Sequence, residues 1–178
     1  MDTFRDARAF VDNPHFAEQR ERSLQSLDLS GIDTPVVDIV VDFAKLPYCF
    51  TEQICYGHFL YPGQTDPQNL NPIPLSSTID EVEYRIAYLA LCIEESRQGK
   101  ELFHDLEIIA SKEPAYIQFG TADWFWENQV NSFAIQVEPE RYMYKDRALV
   151  DYQEAKLIQS VRDEFFRALR ALLLDRAS

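Results

Sequence analysis

From Tyr48 to Phe59 the chain alternates with a period of two. Tyr48, Phe50, Glu52, Ile54, Tyr56 and His58 occupy even positions; Cys49, Thr51, Gln53, Cys55 and Gly57 occupy odd ones. Only an extended backbone sends successive side chains to opposite faces, so this stretch commits the chain to a sheet. The even face is large and mainly apolar, and the odd face is small and polar. Directly after it, residues 61–78 carry four of the nine prolines. Proline restricts itself and the residue before it, which makes this segment a long loop. Loops of this length inside a compact domain are most often functional covers or disordered.

The remaining segments supply helices and further strands. Asn13-Pro14 places a capping side chain ahead of a residue suited to a first helical turn, predicting a helix over 14–27 with a thin apolar face of Phe16, Ala17, Leu24 and Leu27. Thr34-Pro35 gives the same signal for a mostly buried helix ending near Leu46. Residues 79–93 fit two templates. Thr78-Ile79-Asp80-Glu81 resembles a capping box, whereas 86–93 is an unbroken apolar run of strand length, so a helical turn followed by a strand over 84–93 is expected. Ser96 caps a helix to about Ile109, and strands follow at 115–119 and 132–137 with a short helix over 121–130 between them. Asp146 caps a long helix to Leu174 with a stripe of Leu157, Ile158, Val161, Phe165, Leu169 and Leu172. At about 1.5 Å per residue it spans roughly 42 Å, enough to cross a whole face or to reach a partner. The expected fold is a single α+β domain over 1–178. Its small mixed or antiparallel sheet, of about four strands, is covered by the N-terminal helices and the long C-terminal helix.

Composition removes several classes of function. With 17 basic and 30 acidic side chains the net charge is −13, which opposes phosphate backbones and anionic membrane surfaces alike. No apolar run approaches the roughly 20 residues of a membrane span, and the first residues show no basic-then-apolar leader pattern. Three cysteines, Cys49, Cys55 and Cys92, are too few and odd in number for a disulfide framework; free thiols in a cytoplasmic protein fit better.

The compact odd face has room for a ligand. Thr51 and Gln53 offer directed hydrogen bonds, Gly57 permits close backbone approach, and the proline-rich loop leaves from the end of the strand as a cover. A small-molecule cleft lined by Thr51, Gln53, Cys55, Gly57 and His58 follows, with Trp124 as stacking partner and Arg85 as anchor for an anionic group. The alternative packing reading makes Cys49 and Cys55 small core residues under a helix. No metal is expected: extended backbone separates Cys49 from Cys55 by roughly 20 Å, and further ligands (His15, His104 or Cys92) would have to arrive from afar. A Cys55–His58 nucleophile pair is disfavoured because residues three apart on a strand face opposite ways. Asp123 and Glu127, four apart, share a helix face and suit either paired acid–base work or plain solvation. The aromatic content of 13% and the C-terminal helix make a non-enzymatic homodimer the competing class.

Thr51, Cys55 and Gly57 also match a motif. The segment from Thr51 to His58 resembles the Thr-x-Ser-Ser-Cys-Ser-Gly-Arg strand of the wybutosine-synthesis tRNA methyltransferase family. Gln53 and Ile54 stand where that family has serines, and His58 where it has arginine. The resemblance covers about a dozen residues and implies methyl transfer from S-adenosylmethionine to a modified tRNA base. The residues themselves specify neither a reaction nor a cofactor.

Overall fold

The computed structural model describes residues 4–178. Among them the chain forms eight strands and five α-helices: β1 (Phe4–Arg5), α1 (Phe16–Gln25), α2 (Val37–Ala44), β2 (Cys49–Cys55), β3 (His58–Leu60), β4 (Glu81–Arg85), β5 (Ala87–Ile93), α3 (Arg97–Ser111), β6 (Ile117–Ala122), α4 (Asp123–Asn128), β7 (Ser132–Val137), β8 (Arg147–Asp151) and α5 (Tyr152–Arg176). The fold is α+β, and every named strand pairing is antiparallel. Strands divide into a five-stranded sheet, in the order β1-β6-β7-β5-β2, and a three-stranded sheet, β3-β4-β8, rather than one sheet of about four. No helix of the described residues is long and apolar enough to cross a membrane.

Alternation decides where the core lies. On the five-stranded sheet Leu89, Leu91, Ile93, Phe133, Ile135 and Val137 point to one side, where they meet Phe43 of α2, Leu102 and Leu106 of α3, and Phe165 and Leu169 of α5. The opposite face carries small residues: Ala90, Ala122 and Ala134 pack with Phe4. Farther along that face, Phe50 and Cys92 are covered by Phe16 of α1. Toward the other end of that face, by Gln53, Tyr88 and Gln136, the sheet is left open.

Two expectations require correction at strand boundaries. Residues 78–81 form no helical turn; Val82 and Tyr84 alternate inward on β4, and the run then breaks at Ile86. The break is where the chain leaves the small sheet for the large one. Buried Tyr84 fastens the junction, its hydroxyl donating to the Val137 carbonyl at 2.7 Å and accepting from the Ala87 amide at 2.8 Å. The C-terminal helix starts later than expected, because residues 147–151 pair with β4 as β8. Asp151, not Asp146, is its cap, accepting from the Glu154 amide at 2.8 Å. The inward stripe of α5 runs through Ile158, Val161, Phe165, Leu169 and Leu173, while Leu157 is 47% exposed. That stripe is used inside the chain, against the sheet and α2, rather than held out for a partner.

The loop over 61–78 is pinned rather than loose. Ile73 donates its amide to Gln159, and Tyr152 donates to the Pro74 carbonyl, both from α5. Gly57 makes the turn between β2 and β3 with a φ of 87°. A Cβ there would lie 2.9 Å from the Ala87 Cβ. Gly57→Ala is therefore expected to cost about 2 kcal/mol or more, a left-handed penalty plus the clash, read as a lower urea midpoint at unchanged slope.

Candidate functional site

A β-bulge divides the face that alternation alone treats as one. Thr51 pairs with Leu91 and Gln53 with Ala90, so Glu52 is an extra residue and the inside–outside sense of β2 inverts across it. Before the bulge Cys49 and Thr51 face the helix side. After it, Gln53 and Cys55 face the small-residue side with Ala90 and Tyr88. Thr51 consequently lies outside the cleft, and its hydroxyl oxygen is buried with no hydrogen-bond partner among the described residues. Gly57 is also outside; its carbonyl accepts from Arg162 at 3.2 Å.

Over the open sheet face lies a cleft of about 590 Å³, within the range typical of small-molecule sites. Gln53 and Cys55 of β2, Tyr88 of β5 and Gln136 of β7 form its floor. The Tyr88 hydroxyl donates to Gln53 Oε1 at 2.9 Å. Trp124 and Phe125 of α4, with Met143 and Tyr144 from the β7–β8 connection, make an apolar wall. Trp124 is 49% exposed, unusual for so large an apolar ring in a well-filled domain. Arg85 and Lys145 supply positive charge at the edge, although Arg85 is paired with Glu83 at 3.2 Å. Pro67 and Gln68 bring the proline-rich loop to the rim. The structure thus gathers Gln53, Cys55, His58, Arg85 and Trp124 around one cavity.

Sequence reasoning missed Tyr88, Gln136, Met143 and Tyr144 of the lining and, with the largest consequence for the chemistry, Asp33. It sits at the cap position before Thr34, yet its side chain caps nothing. Its Oδ2 instead accepts the Tyr56 amide at 2.9 Å and lies 3.3 Å from His58 Nε2. The other ring nitrogen, Nδ1, donates to the Asn69 carbonyl at 3.0 Å, and Asn69 is itself buried and bonded to the Phe59 carbonyl. Cys55 completes the cluster: the Asp33 carboxylate, the Cys55 sulfur and a His58 nitrogen all lie within 4.8 Å of one another. The Asp33 carboxylate first, then the Cys55 thiol, push the His58 imidazole up to about 10. Hydrogen bonding from His58, chiefly, holds Asp33 below the usual carboxylate range. Both shifts favour the protonated imidazole paired with the Asp33 carboxylate, an arrangement that disfavours His58 as a general base.

Other sequence candidates fall away from the cleft. Cys49 and Cys92 are buried, and burial pushes both thiols up, Cys49 to about 12. His15 and His104 are exposed. Asp123 is engaged by Arg5 and Arg8 rather than paired with Glu127.

No protein-family model matches the chain, and no curated protein matches it. Among solved structures, the PH1069 protein from Pyrococcus horikoshii is similar over 90% of this chain and 95% of that one, with a TM-score of 0.56 and 12% sequence identity. At that identity the likeness is one of fold.

Proposed function

We propose that this cytoplasmic protein binds a small molecule with a planar, largely apolar body and polar edges in the cleft over β2. The observation that carries the reading is the cavity itself: its floor combines a small-residue sheet face with amide and hydroxyl groups, and its wall exposes an indole. A flat ring stacked on Trp124 would bury apolar area while Gln53, Tyr88 and Gln136 satisfy its edges. Three free cysteines fit a reducing compartment. In a thermal-shift series of nucleosides, nucleotides and aromatic metabolites, at least one class is expected to raise the melting temperature and quench Trp124 fluorescence. Trp124→Ala should weaken that ligand about tenfold or more, since a stacked ring is worth about 1–3 kcal/mol. No shift across the series, or equal affinity in the variant, overturns the reading.

A second reading, S-adenosylmethionine-dependent RNA modification, has one supporting observation: Cys55, part of the motif resemblance, lines the same cleft. It predicts stabilisation by S-adenosylmethionine together with salt-sensitive tRNA binding. The net charge of −13 weighs against the RNA half.

A further inference from the structure

We propose that Asp33, Cys55 and His58 form a binding site for a thiophilic divalent cation of the zinc type, with its fourth coordination position open to the cleft. Carboxylate, sulfur and imidazole donors already lie within 4.8 Å of one another. A tetrahedral ion with bonds of about 2.0–2.3 Å sets its ligand atoms roughly 3.3–3.8 Å apart, so small side-chain rotations close the site. The turn explains how a strand residue and one three positions on can converge. β2 ends at Cys55, and Gly57, with a φ of 87°, swings His58 back toward it.

The supporting contacts are those a metal site needs. His58 Nδ1 donates to the Asn69 carbonyl, which directs Nε2 toward the other two donors. Asp33 is oriented by the Tyr56 amide. This arrangement also separates metal binding from a nucleophilic triad. A triad needs the carboxylate on one ring nitrogen and the thiol on the other. Here Asn69 occupies Nδ1, and Asp33 lies at Nε2. A carboxylate and a thiolate would neutralise a dication, with the protons of Cys55 and Nε2 released to solvent on binding. All three residues line the cavity, which supplies an entry path and leaves one position for water or ligand.

The inference goes beyond the ligand-binding reading and does not depend on Trp124. Its test is titration of the full-length, reduced, chelator-treated protein with Co²⁺ and then Zn²⁺. One Co²⁺ per chain is expected, with sulfur-to-cobalt charge-transfer absorption in the near ultraviolet and intense tetrahedral visible bands, both erased by Zn²⁺. Cys55→Ala should abolish the charge-transfer band; Asp33→Ala and His58→Ala should weaken binding at least tenfold. Cys49→Ala, Cys92→Ala and Trp124→Ala should keep the spectrum, so loss of the ligand response and loss of the metal spectrum are told apart. Circular dichroism checks that each variant is folded, and His58→Gln replaces His58→Ala if the latter is not. Absence of the charge-transfer band in the wild-type protein, or its persistence in Cys55→Ala, overturns the proposal.

Discussion

Arg162→Met is expected to destabilise the protein by about 2–4 kcal/mol, through an unpaired buried carbonyl and lost stacking. Arg162 is 2% exposed on α5. Its guanidinium carbon sits 3.9 Å from the centre of the Tyr56 ring and 5.2 Å from that of Phe59. One amino group donates to the Gly57 carbonyl at 3.2 Å and the other to the Tyr56 hydroxyl at 3.1 Å. Methionine fills much of the same volume but leaves the Gly57 carbonyl without that donor. Because Asp163, the ionic partner, is partly exposed, the variant buries no unpaired charge. The consequence reaches the site, since Tyr56 and Gly57 are the two residues joining Cys55 to His58. Urea unfolding of Arg162→Met should show the loss, and the variant should bind Co²⁺ more weakly than the wild-type protein even where both are fully folded. Arg162→Lys should recover only part of the stability, as an ammonium cannot span both acceptors in one plane. A wild-type urea midpoint in Arg162→Met would refute the clamp.

The parts of this architecture that the sequence reveals are those set by local periodicity. The strand at 132–137 and the Ser96-capped helix appear where alternation and capping place them, since each rests on residues close in the chain. Gln53, Cys55 and His58 come together at the cleft, but the premise behind them holds for only half of β2. A one-residue bulge leaves the alternation of the sequence intact while inverting which face is buried, so Thr51 and Cys55 share parity yet lie on opposite sides. Asp33 is invisible for a different reason. An aspartate before Thr-Pro reads as a helix cap, and nothing local says that its carboxylate reaches across 23 residues to the Tyr56 amide. The strand at 147–151 was hidden in the same way, because its identity depends on pairing with β4, far away in sequence. The spacing of Cys49 and Cys55 argues against a metal, and spacing does not reach Asp33, whose carboxylate the fold brings within 4.8 Å of Cys55 and His58.

Stability is expected to fall as pH rises from 5 to 9, and Glu138→Gln should remove much of that fall. Glu138 follows β7 and is fully buried. One carboxyl oxygen accepts from Gln136 at 3.2 Å, and the other has no partner among the described residues. Burial first, then the negative charge of Asp146, pushes its carboxyl from 4.5 to about 9, with Lys145 opposing. The folded state therefore keeps a proton that the unfolded chain gives up above about 4.5. Such a raised acid contributes its stability fully below the unfolded value and loses it progressively up to about 9. At about 1.4 kcal/mol per tenfold change in proton affinity, the cumulative loss is several kcal/mol. Glu52, raised to about 7 chiefly by burial, acts with the same sign but is spent by neutral pH. His58, raised from 6.5 to about 10 chiefly by Asp33, adds a fall of the same sign above neutral pH, so between 7 and 9 it is the difference between the wild-type protein and Glu138→Gln that reports Glu138. An amide mimics the protonated carboxyl in shape and can still accept from Gln136. Melting curves of the two proteins should lie close together at pH 5 and separate by several degrees at pH 9, with the variant higher. Parallel profiles across that interval would mean that Glu138 is already ionised in the folded protein, stabilised by a group other than Gln136.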